Sequence, residues 1–326
     1  MTYLELLGGL TLLLVCGDIF VRSAVGVAFW LKVSPLVIGL ILVGFGTSLP
    51  ELVASLEAAR LGSPGLVLGN VVGSNIANLL LVLGLSALIA PVAVAAGSFR
   101  FNGPVMAAVT LLASLLFHLG GIGRLAGVVF VGLLLAYVAA AYWRERRCGA
   151  DPTMVEMGEE IAALPPRQAP TWLYLGGVAA GLVGIVLGAN LLISGAVQLA
   201  RQIGLTETVI GLTIVAVGTS LPELVTSVIA ALRRHSDVAL GNVIGSNIFN
   251  LLGILGVTAL YRPIAVPPEI VRFDSWVMLA ATGLTILFAV TRARLDRWEG
   301  GVLLAGYLAY MAALLNPEGW TLPGLT

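Results

Sequence analysis

Long apolar runs, broken at intervals by proline, glycine or charge, dominate the chain. A helix needs about 20 mainly apolar residues to cross the hydrocarbon core of a bilayer. On that measure the pattern predicts spans over 3–30, 34–59, 65–90, 103–119 and 124–143, then 172–199, 206–231, 237–260, 275–291 and 299–315. The one clearly polar stretch, WRERRCGADPTMVEMGEEIAALPPRQAPT at 143–171, separates the fifth span from the sixth. The predicted fold is therefore an all-α membrane protein of about ten transmembrane helices. Residues 1–142 form a first five-helix repeat, 143–171 a linker with a short amphipathic helix near Met154–Leu164, and 172–326 a second five-helix repeat.

The word repeat rests on two motifs. GTSLPELV stands at Gly46–Val53 and again, unchanged, at Gly218–Val225. GNVVGSNIAN at Gly69–Asn78 returns as GNVIGSNIFN at Gly241–Asn250. Both pairs are offset by 172 residues, and the same offset aligns Asp18 with Asn190, Pro91 with Pro263, and Arg100-Phe101-Asn102 with Arg272-Phe273-Asp274. A period holding an odd number of spans reverses direction across the bilayer. The expected architecture is thus an inverted-topology repeat, which in secondary transporters places the substrate site where the repeats meet.

Composition agrees with a polytopic membrane protein and narrows the function. Hydrophobic residues are 59% of the chain, charged residues 10%, and mean hydropathy is +1.03. Net charge is zero, and no long basic run implies nucleic acid. The start, MTYLELLGGL, lacks a basic region ahead of its apolar run, so that run is expected to remain as a span. With both termini outside, eleven loop Lys and Arg face inward (Lys32, Arg100, Arg144, Arg146, Arg147, Arg167, Arg233, Arg234, Arg292, Arg294, Arg297) against five outward (Arg60, Arg124, Arg201, Arg262, Arg272). The positive-inside rule then puts the linker on the cytoplasmic side. Cys16 and Cys148 have no metal or redox spacing, and His118 and His235 read as interfacial polar residues.

The chemistry lies in the duplicated glutamates. Glu51 and Glu223 fall inside apolar runs, where an ionisable group is costly and marks an ion pathway. Gly44, Thr47, Glu51 and Ser55 share one helical face, as do Ala216, Thr219, Glu223 and Ser227, with Ser48 and Ser220 alongside. Such oxygen stripes suit hard cations: Ca²⁺ takes about six to eight oxygen ligands. Pro50 and Pro222 cannot donate to the carbonyls of Gly46 and Gly218, and backbone freed at membrane depth survives where it lines a cavity. A second stripe, Asn70, Ser74 and Asn78, recurs as Asn242, Ser246 and Asn250 and is expected to complete the cage. The intervening glycines give GxxxG spacings for close helix approach. Ser55, Ser227, Asn75 and Asn247 read as interhelical hydrogen-bonding groups, and Asp18 and Asn190 as either an access path or structural polar groups.

Two carboxylates suit one Ca²⁺ or two Na⁺ competing for overlapping positions, which gives antiport; the same carboxylates carrying protons would give Ca²⁺/H⁺ antiport. A cation channel is a remote alternative, disfavoured by the inverted repeat. A hydrolase would need a nucleophile and histidine arrangement that neither motif supplies, so no enzyme activity and no cofactor are expected. The expected partners are Ca²⁺, Na⁺ and the lipid bilayer, with no obligate protein partner.

These paired segments resemble the two α-repeats of the cation/Ca²⁺ exchanger superfamily, and most nearly the prokaryotic calcium/sodium antiporters of its Na⁺/Ca²⁺ exchanger branch. The resemblance spans essentially the whole chain. It implies alternating access around four central sites. Glu51, Glu223, Thr47 and Thr219 would hold Ca²⁺, with backbone carbonyls from Gly44 and Ala216. Ser48, Ser220, Ser74 and Ser246 would help form flanking Na⁺ sites. The first two spans of each half would supply sliding gate helices, and spans two, three, seven and eight the core. The chain departs from some relatives in having Asn78 and Asn250 where they carry Asp, which argues against K⁺ cotransport. TSLPE favours Na⁺ over H⁺ as the coupling ion.

Overall fold

The computed structural model describes residues 2–31, 35–94, 96–148, 170–202, 218 and 220–315. Helices make up nearly all of them: α1 (Thr2–Leu31), α2 (Gly39–Thr47), α3 (Leu49–Arg60), α4 (Pro64–Ile89), α5 (Ala96–His118), α6 (Arg124–Cys148), α7 (Thr171–Gln202), α8 (Leu221–Leu232), α9 (Ser236–Tyr261), α10 (Ile270–Arg292) and α11 (Arg297–Leu315). Among the described residues, α1, α4, α5, α6, α7, α9 and α10 are long and apolar enough to cross a membrane. The bent pair α2 and α3 makes an eighth span if counted as one, and α8 is a shorter apolar helix. The first part of the predicted seventh span, 206–217, and the helix expected within the linker lie outside the described residues.

As Pro50 predicts, the second span is interrupted: it is two helices bent by 45°. Two expectations need correction. The fourth and ninth spans begin earlier than 103 and 275. The polar triplets that depress hydropathy there are helical because a partner receives them. Phe101 stacks on Tyr137, whose hydroxyl donates to Asn102 Oδ1 at 3.1 Å. Phe273 stacks on Tyr310, whose hydroxyl donates to Asp274 Oδ1 at 2.9 Å. Finally, the fold is not purely α. Pro91 and Pro263 follow helix ends and bias their neighbours to extended backbone. The residues after them form two-residue strands, β1 (Val92–Ala93) and β3 (Ile264–Ala265). Each pairs antiparallel with the turn before the last helix of the other half, β1 with β4 (Arg294–Leu295) and β3 with β2 (Gly121–Ile122).

Burial sorts the helices into layers. In α4 and α9, 72% and 89% of the most apolar window is buried, against 28% in α1 and α6. The two GNVxGSNI helices are therefore central, and Leu7, Leu14, Leu125, Leu135, Val183 and Leu187 lie exposed on outer helices, as lipid-facing residues do. Two apolar clusters result. The larger joins α4, α5, α6, α9, α10 and α11. The smaller joins α1 and α7 to the start of the second span, α8 and the first turn of α9.

Glycine decides how close α1 and α7 come. A Cβ at Gly177, Gly181, Gly184 or Gly188 would lie within 3 Å of Ser23, Phe20, Cys16 or Leu13 respectively. Contacts that rise along α7 as they fall along α1 mean the two run antiparallel, with backbones approaching as small residues allow. A similar contact joins α2 to α9, where a Cβ at Gly245 would overlap the Leu40 carbonyl oxygen.

Candidate cation site

The site is built on two helix starts. Ser48 leaves the helical region between α2 and α3 (φ −85°, ψ 5°), and Ser220 does the same before α8 (φ −90°, ψ 8°). Pro50 and Pro222 stand in the first turns of the helices that restart there. A proline is well placed at that point, since the first amides of a helix have no intrahelical partner. The prolines thus open new helices rather than kink old ones. Glu51 and Glu223 follow directly, in the first turn of α3 and α8, where the positive end of the helix dipole favours a carboxylate.

Both glutamates are only 1% exposed. The halves interlock around them. Ser48 Oγ donates to Glu223 Oε1 at 2.9 Å, Thr47 Oγ1 lies 3.2 Å from Asn242 Oδ1, and Ser246 Oγ donates to the Gly44 carbonyl at 3.0 Å. Several buried polar atoms have no hydrogen-bond partner among the described residues: both carboxylate oxygens of Glu51, Glu223 Oε2, Ser220 Oγ, and both amide atoms of Asn78 and of Asn250. A buried polar atom without a partner costs about 1–3 kcal/mol, and more when charged. No arginine or lysine pairs with either glutamate among the described residues. An oxygen-lined pocket with two carboxylates and no fixed counter-charge fits a hard cation. The described residues hold no cluster of three His, Cys, Asp or Glu of the kind transition metals favour.

Of the residues expected at the site, Gly44, Thr47, Ser48, Glu51, Ser74, Asn78, Ser220, Glu223, Ser246 and Asn250 are all buried, and cross-half hydrogen bonds bring together Gly44 with Ser246 and Ser48 with Glu223. Thr219 and Ala216 lie outside the described residues. Asn70 and Asn242 depart from expectation: their amides do not line the cage but donate to α3 and α8. Ser55 and Ser227 accept those bonds between helices, whereas Asn75 and Asn247 donate within their own helices, to Val71 and Val243. Asp18 is away from the site, ion-paired with Arg22 at 2.9 Å and with Arg233 at the end of α8. His118 bonds the Ser114 carbonyl and packs edge-on to Trp276.

A feature that sequence reading missed is the π-helical stretch at the heart of each central helix, Asn78–Val82 in α4 and Phe249–Ile254 in α9. Such bulges recur at functional sites. Here each starts at or beside the asparagine whose amide is unpartnered.

Comparison with known proteins matches this geometry. The family model described as sodium/calcium exchanger protein matches residues 2–143 and 173–316. CaxA of Alkalimonas amylolytica is 39% identical, with 94% of this chain and 97% of that protein covered. The sodium/calcium exchanger MaX1 of Methanosarcina acetivorans is 34% identical over 96% of this chain and 98% of its own. The structure of the sodium-calcium exchanger NCX_Mj soaked with 2.5 mM Na⁺ and 0.1 mM Ca²⁺ superposes with a TM-score of 0.82 at 34% identity, covering 96% of this chain and 98% of that one. With two buried glutamates in duplicated motifs, on apolar spanning helices, the chain belongs to the sodium/calcium exchanger family of integral, multi-pass membrane antiporters.

Proposed function

We propose that this protein exchanges Na⁺ for Ca²⁺ by alternating access and uses the inward Na⁺ gradient to extrude Ca²⁺. The observation that carries the reading is the pair Glu51 and Glu223, each in the first turn of a helix, both buried, with three of four carboxylate oxygens unpartnered among the described residues. Thr47 and Thr219 complete the Ca²⁺ ligands with the carbonyls of Gly44 and Ala216. Ser48, Ser220, Ser74 and Ser246 serve flanking Na⁺ sites, with neutral Asn78 and Asn250 beside them. Antiport follows because both ions need the same carboxylates. A carrier with two uncompensated buried charges resists the change of access, while either loaded form passes.

The architecture of the proposal is ten spans in two inverted five-helix repeats in a prokaryotic inner membrane, with termini outside and the 143–171 linker cytoplasmic. Support comes from the antiparallel contact of α1 with α7, the first spans of the two halves, and from strands that stitch each half to the other. The test is Glu51→Gln and Glu223→Gln in proteoliposomes. Each is expected to lower Na⁺-driven Ca²⁺ uptake at least about tenfold, as loss of a charged ligand does, while the protein still elutes as a folded species in detergent. Undiminished flux in either variant would remove the glutamates from the mechanism.

A further inference from the structure

The first asparagine of each GNVxGSNI motif holds the glutamate helix from behind. Asn70 Nδ2 donates to the backbone carbonyl of Glu51 at 3.0 Å and to Ser55 Oγ at 2.8 Å. Asn242 Nδ2 donates to the backbone carbonyl of Glu223 at 3.1 Å and to Ser227 Oγ at 2.7 Å. An amide nitrogen carries two N–H donors, so both are spent on one helix. In the second half the remaining group is engaged as well: Asn242 Oδ1 lies 3.2 Å from Thr47 Oγ1, across the boundary between halves, a hydroxyl it shares with the Val43 carbonyl at 3.0 Å. Asn242 is completely buried.

We propose that Asn70 and Asn242 are positioning residues that set the height and rotation of the glutamate helices, and thereby the affinity and size selectivity of the cation site. The inference rests on the exchange reading above. Its physical basis is the helix break. α3 starts after Ser48, so the continuous ladder that would fix its register to α2 is interrupted beside Glu51, and α8 likewise starts after a non-helical Ser220, beside Glu223. A bond to the carbonyl of the glutamate residue itself, made from the buried helix α4 or α9, replaces that constraint. In dry surroundings such a bond is stronger than in water, and leaving it unmade costs more. Asn242 adds a second constraint. Its Oδ1 lies 3.2 Å from Thr47 Oγ1, whose single proton also has the Val43 carbonyl within reach at 3.0 Å, so Asn242 stands in hydrogen-bonding contact with a residue expected at the site. One side chain thus ties the Glu223 residue and Thr47, from opposite halves, into one cage.

This requires an amide. An aspartate of the same shape has no N–H to give: the serine hydroxyl could turn and donate to it, but the glutamate's backbone carbonyl would be left facing a carboxylate. Groups that orient metal ligands without touching the metal typically contribute about 10–100-fold in affinity.

The experiment measures half-saturation for Ca²⁺ and for Sr²⁺ in Na⁺-driven uptake by proteoliposomes holding Asn242→Ala, Asn242→Asp or Asn70→Ala, normalised to folded protein. Each variant is expected to raise the Ca²⁺ half-saturation about tenfold or more. The ratio of Sr²⁺ to Ca²⁺ half-saturation is expected to fall, since a looser cage discriminates less by ion size. A merely structural asparagine would lower yield and maximal rate only. Half-saturations and their ratio within about twofold of the unmodified protein would therefore overturn the proposal. Where Asn242→Ala does not fold, Ser227→Ala, which removes one acceptor and leaves Asn242 in place, is read by the same rule. Loss of one hydrogen bond predicts a shift of about threefold, and no shift overturns the proposal. Failure of the exchange reading would show separately, as absence of Na⁺-driven uptake by the unmodified protein. Calorimetric Ca²⁺ affinities of the same purified variants would then decide the positioning role.

Discussion

At the scale of single residues, the site sets a hydroxyl donor from one half against a buried carboxylate of the other. Ser48 is the clearest case, since its hydroxyl donates to Glu223 Oε1 from the other motif at 2.9 Å. Hydrogen bonds to charged groups contribute about 1.5–3 kcal/mol. Ser48→Ala is accordingly expected to weaken ion half-saturation about tenfold, equivalent to about 1.4 kcal/mol, with Na⁺ affected more than Ca²⁺ because Ser48 is assigned to a flanking Na⁺ site. Equal shifts for both ions would place Ser48 at the Ca²⁺ position instead. The glutamates, Thr47 and Ser48 were legible in the sequence because charge and oxygen in an apolar run have few uses besides ion binding. Asn70 and Asn242 were misread for a plain reason. Helical periodicity gives the face a side chain occupies, but the partner its amide chooses depends on where the neighbouring helix lies.

At the scale of elements, proline and glycine placement does most of the work. Pro50 was correctly read as interrupting its span, yet the sequence did not show that each proline stands at the start of a helix with the glutamate in its first turn. The π-helical stretches were not legible either, since one inserted residue leaves hydropathy unchanged. The four two-residue strands lie in connections too short for a strand pattern, and they form because pairing across halves is available only in the folded protein. Glycines on α7 make a sharper prediction. A Cβ at Gly188 would meet the Leu13 backbone nitrogen at 2.9 Å, which cannot yield, whereas a Cβ at Gly184 meets the movable Cys16 sulfur. Overpacking typically costs about 1–3 kcal/mol. Gly188→Val should therefore lower the thermal midpoint in detergent more than Gly184→Ala does. The reverse order would mean that α1 and α7 do not make this contact.

At the scale of the whole molecule, the claim is that equivalent segments of the two halves face opposite sides of the membrane. The ends of α3 and α8 test this directly. Both helices finish in a left-handed residue, Gly62 (φ 76°) and Arg234 (φ 60°), 172 positions apart, so they are structural equivalents. In a background with Cys16 and Cys148 replaced by serine, Leu61→Cys and Arg234→Cys should react with an impermeant thiol reagent from opposite faces of oriented vesicles. Labelling from the same face would make the repeats parallel. The duplication and its spacing followed from the sequence, because repeated motifs are visible without coordinates, while the central place of the GNVxGSNI helices was implied by the family resemblance. The closeness of α1 to α7 and the cross-half strands were not, since they depend on contacts between residues far apart in the chain.

The most direct test of the account is radiolabelled Ca²⁺ uptake into proteoliposomes of the unmodified protein, comparing an outward Na⁺ gradient with an outward H⁺ gradient. Uptake driven by the Na⁺ gradient and absent with the H⁺ gradient is the predicted result. Uptake driven only by H⁺ would contradict Na⁺ coupling and make Glu51 and Glu223 proton carriers.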